Sequence, residues 1–187
     1  MGKVLCFTTR QISGGGIMDL NNAAAMKLYI AGKVSKDSSF GKHHWRDTFC
    51  AELERLSGLK MIHNDPLGID ENPEDLEGIF SKDVELINKS DCVVVYLSDD
   101  ISVGGSQEIL IAKYLNKAVI GLAPYGGKFN GESREMNGKF IKNYKDPFVF
   151  TTCDVVCGTI EEVAESLKTI LDKAPKGIDL IDRALEK

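Results

Sequence analysis

The sequence predicts an α/β protein, a three-layer sandwich in which helices cover both faces of a five-stranded parallel sheet. Short apolar segments alternate with amphipathic helical segments along the chain, which is typical of βαβ units. Residues 91–97 include an apolar run without alternation, as expected for a strand that is buried on both faces. A glycine pair, Gly104 and Gly105, then leads into a helical segment, so a tight turn is expected there.

The predicted strands are the short apolar segments, and the predicted helices have apolar residues three and four positions apart. The strands are expected at residues 27–31, 59–63, 91–97, 118–122 and either 148–151 or 154–157. The helices are expected at residues 44–56, 73–88, 106–115 and 160–171. Residues 124–145 are expected to form a long polar loop. With right-handed crossovers, the simplest strand order is 2-1-3-4-5.

Residues 1–25 differ in composition from the remainder of the chain. They contain linker-like segments such as Ser13-Gly-Gly-Gly16, and we expect an N-terminal extension, either native or introduced by cloning. Residues 26–175 are expected to form one domain, and residues 176–187 a C-terminal tail or helix. A chain of 187 residues is long enough for one domain with a sizeable core.

The composition argues against several classes of function. The net charge of −5 disfavours polymeric nucleic acid as a partner, because proteins that bind it usually carry a clustered basic face. No apolar run approaches 18 residues, so no membrane span is expected. The five cysteines lack CxxC spacing, which favours reduced thiols in a cytoplasmic protein.

No metal or cofactor is expected from the motifs. The histidines, His43, His44 and His63, do not have the spacing of a zinc site. The chain has neither a GxGxxG motif nor a Walker lysine, so nothing indicates a dinucleotide or a triphosphate. A mononucleotide remains compatible, because a few backbone amides and hydroxyls are sufficient for one phosphate.

The predicted strand order places a cleft between strands 1 and 3. Open α/β sheets bind ligands at this switch point, where the loops 31–36 and 98–108 would face each other. Glu108 would lie in the first turn of the helix after strand 3, at the carboxyl end of that strand. A glutamate in a first turn can also serve the helix dipole alone.

Three other side chains are candidates for the site. Asp83 falls on the apolar face of its helix, where a carboxylate needs a partner, so it either bonds a loop amide or points into the cleft. Tyr29 has a defined face on strand 1 and either packs in the core or reaches a carboxylate. Asp91 precedes a strand, where a Ser-Asp turn is frequent, and is either structural or a ligand contact.

Ligand contacts are expected mainly from glycines and hydroxyls. Gly32 permits close approach of a ligand, and the segment around Ser102 offers amides and a hydroxyl at a helix N-terminus. Such groups suit a phosphate or a sugar hydroxyl. The expected substrate-binding residues are Gly32, Lys33, Ser102, Gly104, Gly105 and Asp91.

Three segments, in this order and at this spacing, resemble the nucleoside 2-deoxyribosyltransferase family. They are Leu28-Tyr-Ile-Ala-Gly32, Lys82-Asp-Val-Glu-Leu-Ile-Asn-Lys-Ser-Asp91 and Gly104-Gly-Ser-Gln-Glu-Ile-Leu-Ile-Ala112. The likeness covers about residues 26–122. It implies a flavodoxin-like, Rossmann-like sheet and cleavage of the N-glycosidic bond of 2′-deoxynucleosides.

The resemblance also implies roles for particular residues. Glu108 corresponds to the nucleophile that forms a glycosyl-enzyme intermediate, Asp83 to the acid/base group for the leaving base, and Tyr29 to the tyrosine that orients the glutamate. The implied partners are a small-molecule nucleoside or nucleotide and a free base. A homo-oligomer is implied as well, in which a neighbouring chain supplies an asparagine and a methionine to the site. Met136-Asn137 is a possible counterpart of that pair.

The chain departs from the transferases at Ser102, where they carry an aspartate that binds the sugar 5′-hydroxyl. The related 2′-deoxynucleoside 5′-monophosphate N-glycosidases resemble this chain in having a serine there. Replacing a negative charge by a hydroxyl should admit a phosphate, so a 5′-monophosphate is expected as a substrate, with Lys33, Ser35 or Lys36 assisting.

Several alternatives stay open. Transfer of deoxyribose to another base and transfer to water are both compatible, because acceptor choice depends on how well water is excluded. A ribonucleotide 5′-monophosphate N-glycosidase is a second enzyme hypothesis, although the chain lacks the longer Pro-Gly-Gly-x-Gly-Thr pattern of that type. A non-catalytic nucleotide-binding module that keeps the cleft is a third.

Overall fold

The computed structural model describes residues 25–33, 45–64, 74–98 and 101–186. The predicted N-terminal extension lies outside the described residues, apart from its last position. No helix in the described part of the chain is long and apolar enough to cross a lipid bilayer.

Five parallel strands form the central sheet, as the sequence predicted. They are β1 (Met26–Lys33), β2 (Met61–Asn64), β3 (Cys92–Leu97), β4 (Ala118–Leu122) and β7 (Val155–Cys157). The strand order is β2-β1-β3-β4-β7, which is the predicted 2-1-3-4-5 order with β7 as the fifth strand. All four neighbouring pairs are parallel, and β1 runs alongside β3 from Leu28 opposite Cys92 to Lys33 opposite Leu97.

Helices cover both faces of the sheet. They are α1 (Trp45–Ser57), α2 (Leu76–Lys89), α3 (Val103–Tyr114), α4 (Pro147–Thr152), α5 (Ile160–Leu167) and α6 (Leu180–Leu185). Side chains of β1 alternate between two buried clusters, so that Leu28 and Ile30 face α1 and α5 while Tyr29 and Ala31 face α2 and α3. Because both faces are covered, β3 and β4 are apolar throughout.

The start of α3 differs from the prediction. The helix begins at Val103 instead of residue 106, because the Ser102 hydroxyl accepts a hydrogen bond from the Gly105 amide at 3.0 Å and caps it. Gly104 and Gly105 therefore belong to the first helical turn and not to a preceding turn. Glu108 consequently lies in the second turn, one turn further from the helix end than expected.

The segment after β4 also differs from the prediction. Residues 148–151 form part of α4 because Asp146 caps the Phe148 and Val149 amides, and Pro147 starts the helix. The fifth strand is therefore the alternative at 154–157. The predicted loop 124–145 contains an antiparallel hairpin of β5 (Ser133–Met136) and β6 (Lys139–Lys142), whose turn is the Asn-Gly pair at 137 and 138.

A buried ion pair ties α3 to the last strand. Lys113 has no exposed surface, and its ammonium group contacts the Asp154 carboxylate just before β7. Asp154 also accepts hydrogen bonds from the amides of Val119 at 2.7 Å and Lys176 at 2.6 Å. Burial lowers the pKa of Lys113, and the bond to Asp154 counteracts that effect. One carboxylate thus joins a helix, two strands and the C-terminal segment.

We expect Asp154→Ala to lower the free energy of unfolding by about 3 kcal/mol or more, because it leaves a buried ammonium group and two amides without their acceptor. Urea denaturation at neutral pH measures this loss. Glu165→Ala is the matched control, since it breaks an exposed ion pair to Lys168 and should lower the free energy by less than about 1 kcal/mol. Equal losses in the two variants would contradict the structural role of Asp154.

Candidate functional site

A hydrogen bond between residues 79 positions apart defines the candidate site. The Tyr29 hydroxyl donates to Oε1 of Glu108 at 3.1 Å. Tyr29 projects from β1 and has no exposed surface, whereas Glu108 on α3 is only partly buried. The bond therefore joins a fully buried hydroxyl to a carboxylate that is partly accessible to solvent.

Asp83 lies close to this pair. It projects from α2, which packs against α3, and its side chain is half-buried. Its negative charge raises the pKa of both Glu108 and Tyr29. Asp83 on α2 thus acts electrostatically on the hydrogen-bonded pair of Tyr29 on β1 and Glu108 on α3, and the catalytic roles that the resemblance implies for the three residues stay a prediction.

Burial dominates the electrostatics of the pair. It raises the pKa of Glu108 above the ordinary glutamate range, and the charge of Asp83 acts in the same direction. The Tyr29 hydrogen bond and the charge of Arg46 oppose this shift, because both favour the carboxylate form. Burial also raises the pKa of Tyr29, so the phenol stays neutral and keeps the proton that it donates.

Arg46 belongs to the site although the sequence analysis did not identify it. On α1, its Nε donates to the Ile30 carbonyl at 2.8 Å and its Nη2 to the Gly32 carbonyl at 3.4 Å. Its guanidinium group lies 4.8 Å from the centre of the Trp45 ring. The only signal in the sequence was a cation at the start of the helix after strand 1, which the fold brings to the switch point.

Two glycines lie where α3 meets the end of β1. Gly32 has a φ of +107°, and a Cβ atom there would lie 2.3 Å from the Tyr96 carbonyl oxygen, so only glycine fits. A Cβ atom on Gly105 would lie 3.2 Å from the Ser102 Oγ and 3.6 Å from the Gly32 Cα. The first turn of α3 therefore packs directly on the strand that carries Tyr29.

Gly104 and Ser102 lie beside the carboxylate. A Cβ atom on Gly104 would be 3.7 Å from Oε1 of Glu108, an ordinary contact, so this glycine is not required by packing. The Ser102 hydroxyl accepts the capping bond from Gly105 and retains its own proton for donation to a ligand.

Asp91 does not join the site. It lies at the amino end of β3, where its Oδ2 accepts a hydrogen bond from the Lys27 amide at 2.7 Å. Its own amide donates to the Lys27 carbonyl at 2.7 Å, so the residue fastens the start of β3 to the start of β1. This is the edge of the sheet opposite to Gly32, so the structure places Asp91 away from the other predicted site residues.

Five other expected contributors lie outside the described residues or away from Glu108. The backbone of Lys33 ends β1, but its side chain lies outside the described residues, as do Ser35 and Lys36. Met136 and Asn137 lie at the exposed turn of the β5–β6 hairpin. Their contribution to a neighbouring chain's site stays a prediction.

Comparisons with known proteins show a likeness of fold. No protein-family model and no curated protein matches the sequence. Among solved structures, a conserved protein from Enterococcus faecalis V583 is similar with a TM-score of 0.56 and 17% identity, covering 78% of this chain and 99% of that one. The 2-desoxiribosyltransferase from Leishmania mexicana is similar with a TM-score of 0.51 and 18% identity, covering 76% and 97%. At these identities the comparison confirms the predicted fold.

We expect Glu108→Gln to stabilise the protein at neutral pH. The folded-state pKa of Glu108 is raised above its unfolded value, so its contribution to stability is present at low pH and is lost as pH rises through the folded pKa. Glutamine keeps an acceptor for Tyr29 and never ionises. The melting temperature of the variant should exceed that of the wild type at pH 7 and converge with it near pH 4. A difference that grows toward low pH would contradict the raised pKa.

Proposed function

We propose that the protein cleaves the N-glycosidic bond of 2′-deoxynucleosides or their 5′-monophosphates. The convergence of Asp83 and Tyr29 on the partly buried Glu108 supports this proposal most directly. Glycosidic cleavage needs one carboxylate to attack the sugar and one carboxylic acid to protonate the leaving group. The L. mexicana protein of similar fold is named for deoxyribosyl transfer, which agrees with this chemistry.

In the first step, the Glu108 carboxylate attacks C1′ as the bond from C1′ to the base nitrogen breaks. Asp83 gives its proton to the departing base, and the sugar becomes an ester of Glu108. In the second step, water or another base attacks C1′ and returns a proton to Asp83. The bond from C1′ to the Glu108 oxygen breaks as the acceptor attacks, and its electron pair regenerates the Glu108 carboxylate. Water as the acceptor gives hydrolysis, and a base gives transfer.

Glu108 must be ionised to act as a nucleophile, and its surroundings control that state. Burial raises its pKa and removes the water that would weaken its attack. The hydrogen bond from Tyr29 holds Oε1 in place, which leaves the second oxygen for the sugar. Arg46 favours the ionised form through its positive charge, and bonds from its N–H groups to the Ile30 and Gly32 carbonyls hold it at the end of β1.

A 5′-phosphate fits the start of α3. The helix N-terminus favours an anion, and the Ser102 hydroxyl retains a proton to donate. Arg46 adds a positive charge at the same edge of the sheet, where its Nη2 donates to the Gly32 carbonyl. We therefore expect monophosphates to be better substrates than free nucleosides.

The test is an incubation with 2′-deoxynucleosides and with their 5′-monophosphates, each with and without a free acceptor base. Chromatography should show release of the base, and a new nucleoside or nucleotide if transfer occurs. Glu108→Gln should reduce base release by about 1,000-fold or more, because the nucleophile is lost while the fold remains. Intact-mass spectrometry of the wild type should detect the deoxyribosyl ester.

Glu85→Gln is the matched control, since this exposed carboxylate on α2 pairs with Lys89 and should leave activity unchanged. Ribonucleoside 5′-monophosphates are incubated in parallel. Faster release of the base from them than from the 2′-deoxy compounds would favour the ribonucleotide glycosidase. Binding of nucleotides by the wild type without release of any base would replace the catalytic proposal by the binding module.

Arg46 should set the pH dependence of the reaction. Removing its charge in Arg46→Gln raises the pKa of Glu108, so the acid limb of the kcat/KM profile should move to higher pH. Arg46→Lys keeps the charge and should leave the limb near its wild-type position. Arg55→Gln removes an exposed cation from the same helix and serves as the control. Identical profiles for Arg46→Gln and the wild type would contradict this role.

A further inference from the structure

A polar cluster fastens the carboxyl end of α2, the helix that carries Asp83. The Asn64 side-chain amide donates one hydrogen bond to the Ser90 hydroxyl at 2.8 Å and another to the Leu86 carbonyl at 3.3 Å. The Ser90 hydroxyl also donates to the Leu86 carbonyl, at 2.8 Å. Ser90 is buried and Asn64 is partly buried, so water does not compete freely for these bonds. Asn64, Leu86 and Ser90 together are called the α2 anchor below.

The α2 anchor matters because apolar packing holds this helix weakly. The structure describes every residue of α2, and Ile87 is its one buried side chain. Leu76 and Phe80 are largely exposed, so few apolar contacts fix the rotation and position of the helix. The Leu86 carbonyl lies in the last turn, where carbonyls have no partner within the helix. The hydrogen bonds from Asn64 and Ser90 satisfy this carbonyl and tie the helix end to the sheet.

The anchor joins α2 to the part of the sheet that holds Tyr29. Asn64 is the last residue of β2 and lies directly opposite Tyr29 in the parallel pairing of β2 with β1. Side chains paired in this way project from the same face of the sheet, which is the face that α2 and α3 cover. Asp83 lies one helical turn before Leu86. A displacement of α2 at the anchor would therefore move Asp83 relative to Tyr29 and Glu108.

We propose that Asn64 is a positioning residue, which holds the Asp83 carboxyl within reach of the leaving base. This inference rests on the proposed function, in which Asp83 protonates that base. Asn64 acts through α2 and is not assigned a contact with the sugar or the base. Proton transfer requires a carboxyl group within hydrogen-bond distance of the base nitrogen, and a displacement of about 1 Å can lower a rate by about 100-fold. Loss of Asn64 should therefore impair protonation of the base more than attack by Glu108.

The test compares two substrates that differ in their need for a proton. They are 2′-deoxyguanosine 5′-monophosphate and its N7-methyl derivative, whose positively charged base departs without being protonated. Asn64→Ala should lower kcat for the first by about 10- to 100-fold and for the second by less than about 3-fold. Asp83→Asn should show the same selective loss. Equal losses on the two substrates, or no loss on the first, would overturn the positioning role.

Two further variants separate positioning from a general loss of structure. Ser90→Ala should show the same selectivity to a smaller extent, because Asn64 keeps its bond to the Leu86 carbonyl. Ser57→Ala is the matched control, since the Ser57 hydroxyl donates to the Leu53 carbonyl at 2.7 Å in the same way at the end of α1. It should leave the ratio of the two rates unchanged. A change of that ratio as large as in Asn64→Ala would contradict the proposal.

Hydrogen exchange measured by mass spectrometry tests the anchor without any substrate. Asn64→Ala should speed amide exchange in the last two turns of α2 by about 10-fold or more and leave α3 unchanged, because local opening follows the loss of local bonds. Unchanged exchange in α2 would overturn the anchor, whatever the activity. A wild type that releases no base from any nucleotide would instead overturn the proposed function, and the positioning role with it.

Discussion

The candidate site depends on the close packing of α3 against the end of β1. A Cβ atom on Gly105 would lie 3.6 Å from the Cα of Gly32, so the helix starts close to the end of the strand. This packing places Glu108 within hydrogen-bond distance of the Tyr29 hydroxyl. Gly32 is required for a different reason, since its φ is +107° and a Cβ atom there would lie 2.3 Å from the Tyr96 carbonyl oxygen of β3.

The same packing has a thermodynamic consequence. A carboxylate that is partly buried beside a second acidic residue is less stable in its charged form than it would be in water. Tyr29 and Arg46 reduce this penalty without removing it. Such an arrangement is common at functional sites, because surroundings that shift the pKa of a group toward its reactive range also reduce the stability of the folded protein. Asp154 shows the other solution, in which a buried carboxylate is surrounded by donors.

The order of the strands could be predicted because every central strand is a short apolar run, and a parallel sheet allows few arrangements. The start of α3 after Ser102 could not be predicted, because the glycine pair at 104 and 105 is equally typical of a turn before a helix and of a first helical turn that a serine caps. Asp91 was misplaced because its residue type fitted a substrate contact, whereas its backbone partner on β1 decides its position. Arg46 was missed because its relation to Glu108 exists only after β1, α1 and α3 have packed together.

The charge cluster at Asp154 links the carboxyl-terminal segment to the helix that holds Glu108. Lys113 lies little more than one turn beyond Glu108 on α3, and the same carboxylate receives the backbone of Lys176. Lys176 also donates from its side chain to the Cys153 carbonyl at 2.5 Å. A tag, fusion partner or truncation placed just after residue 175 would therefore disturb the contacts of Asp154 with Lys176 and, through them, its ion pair with Lys113 on α3. The segment at Lys176 is thereby connected, through Asp154, to the helix that carries the candidate site.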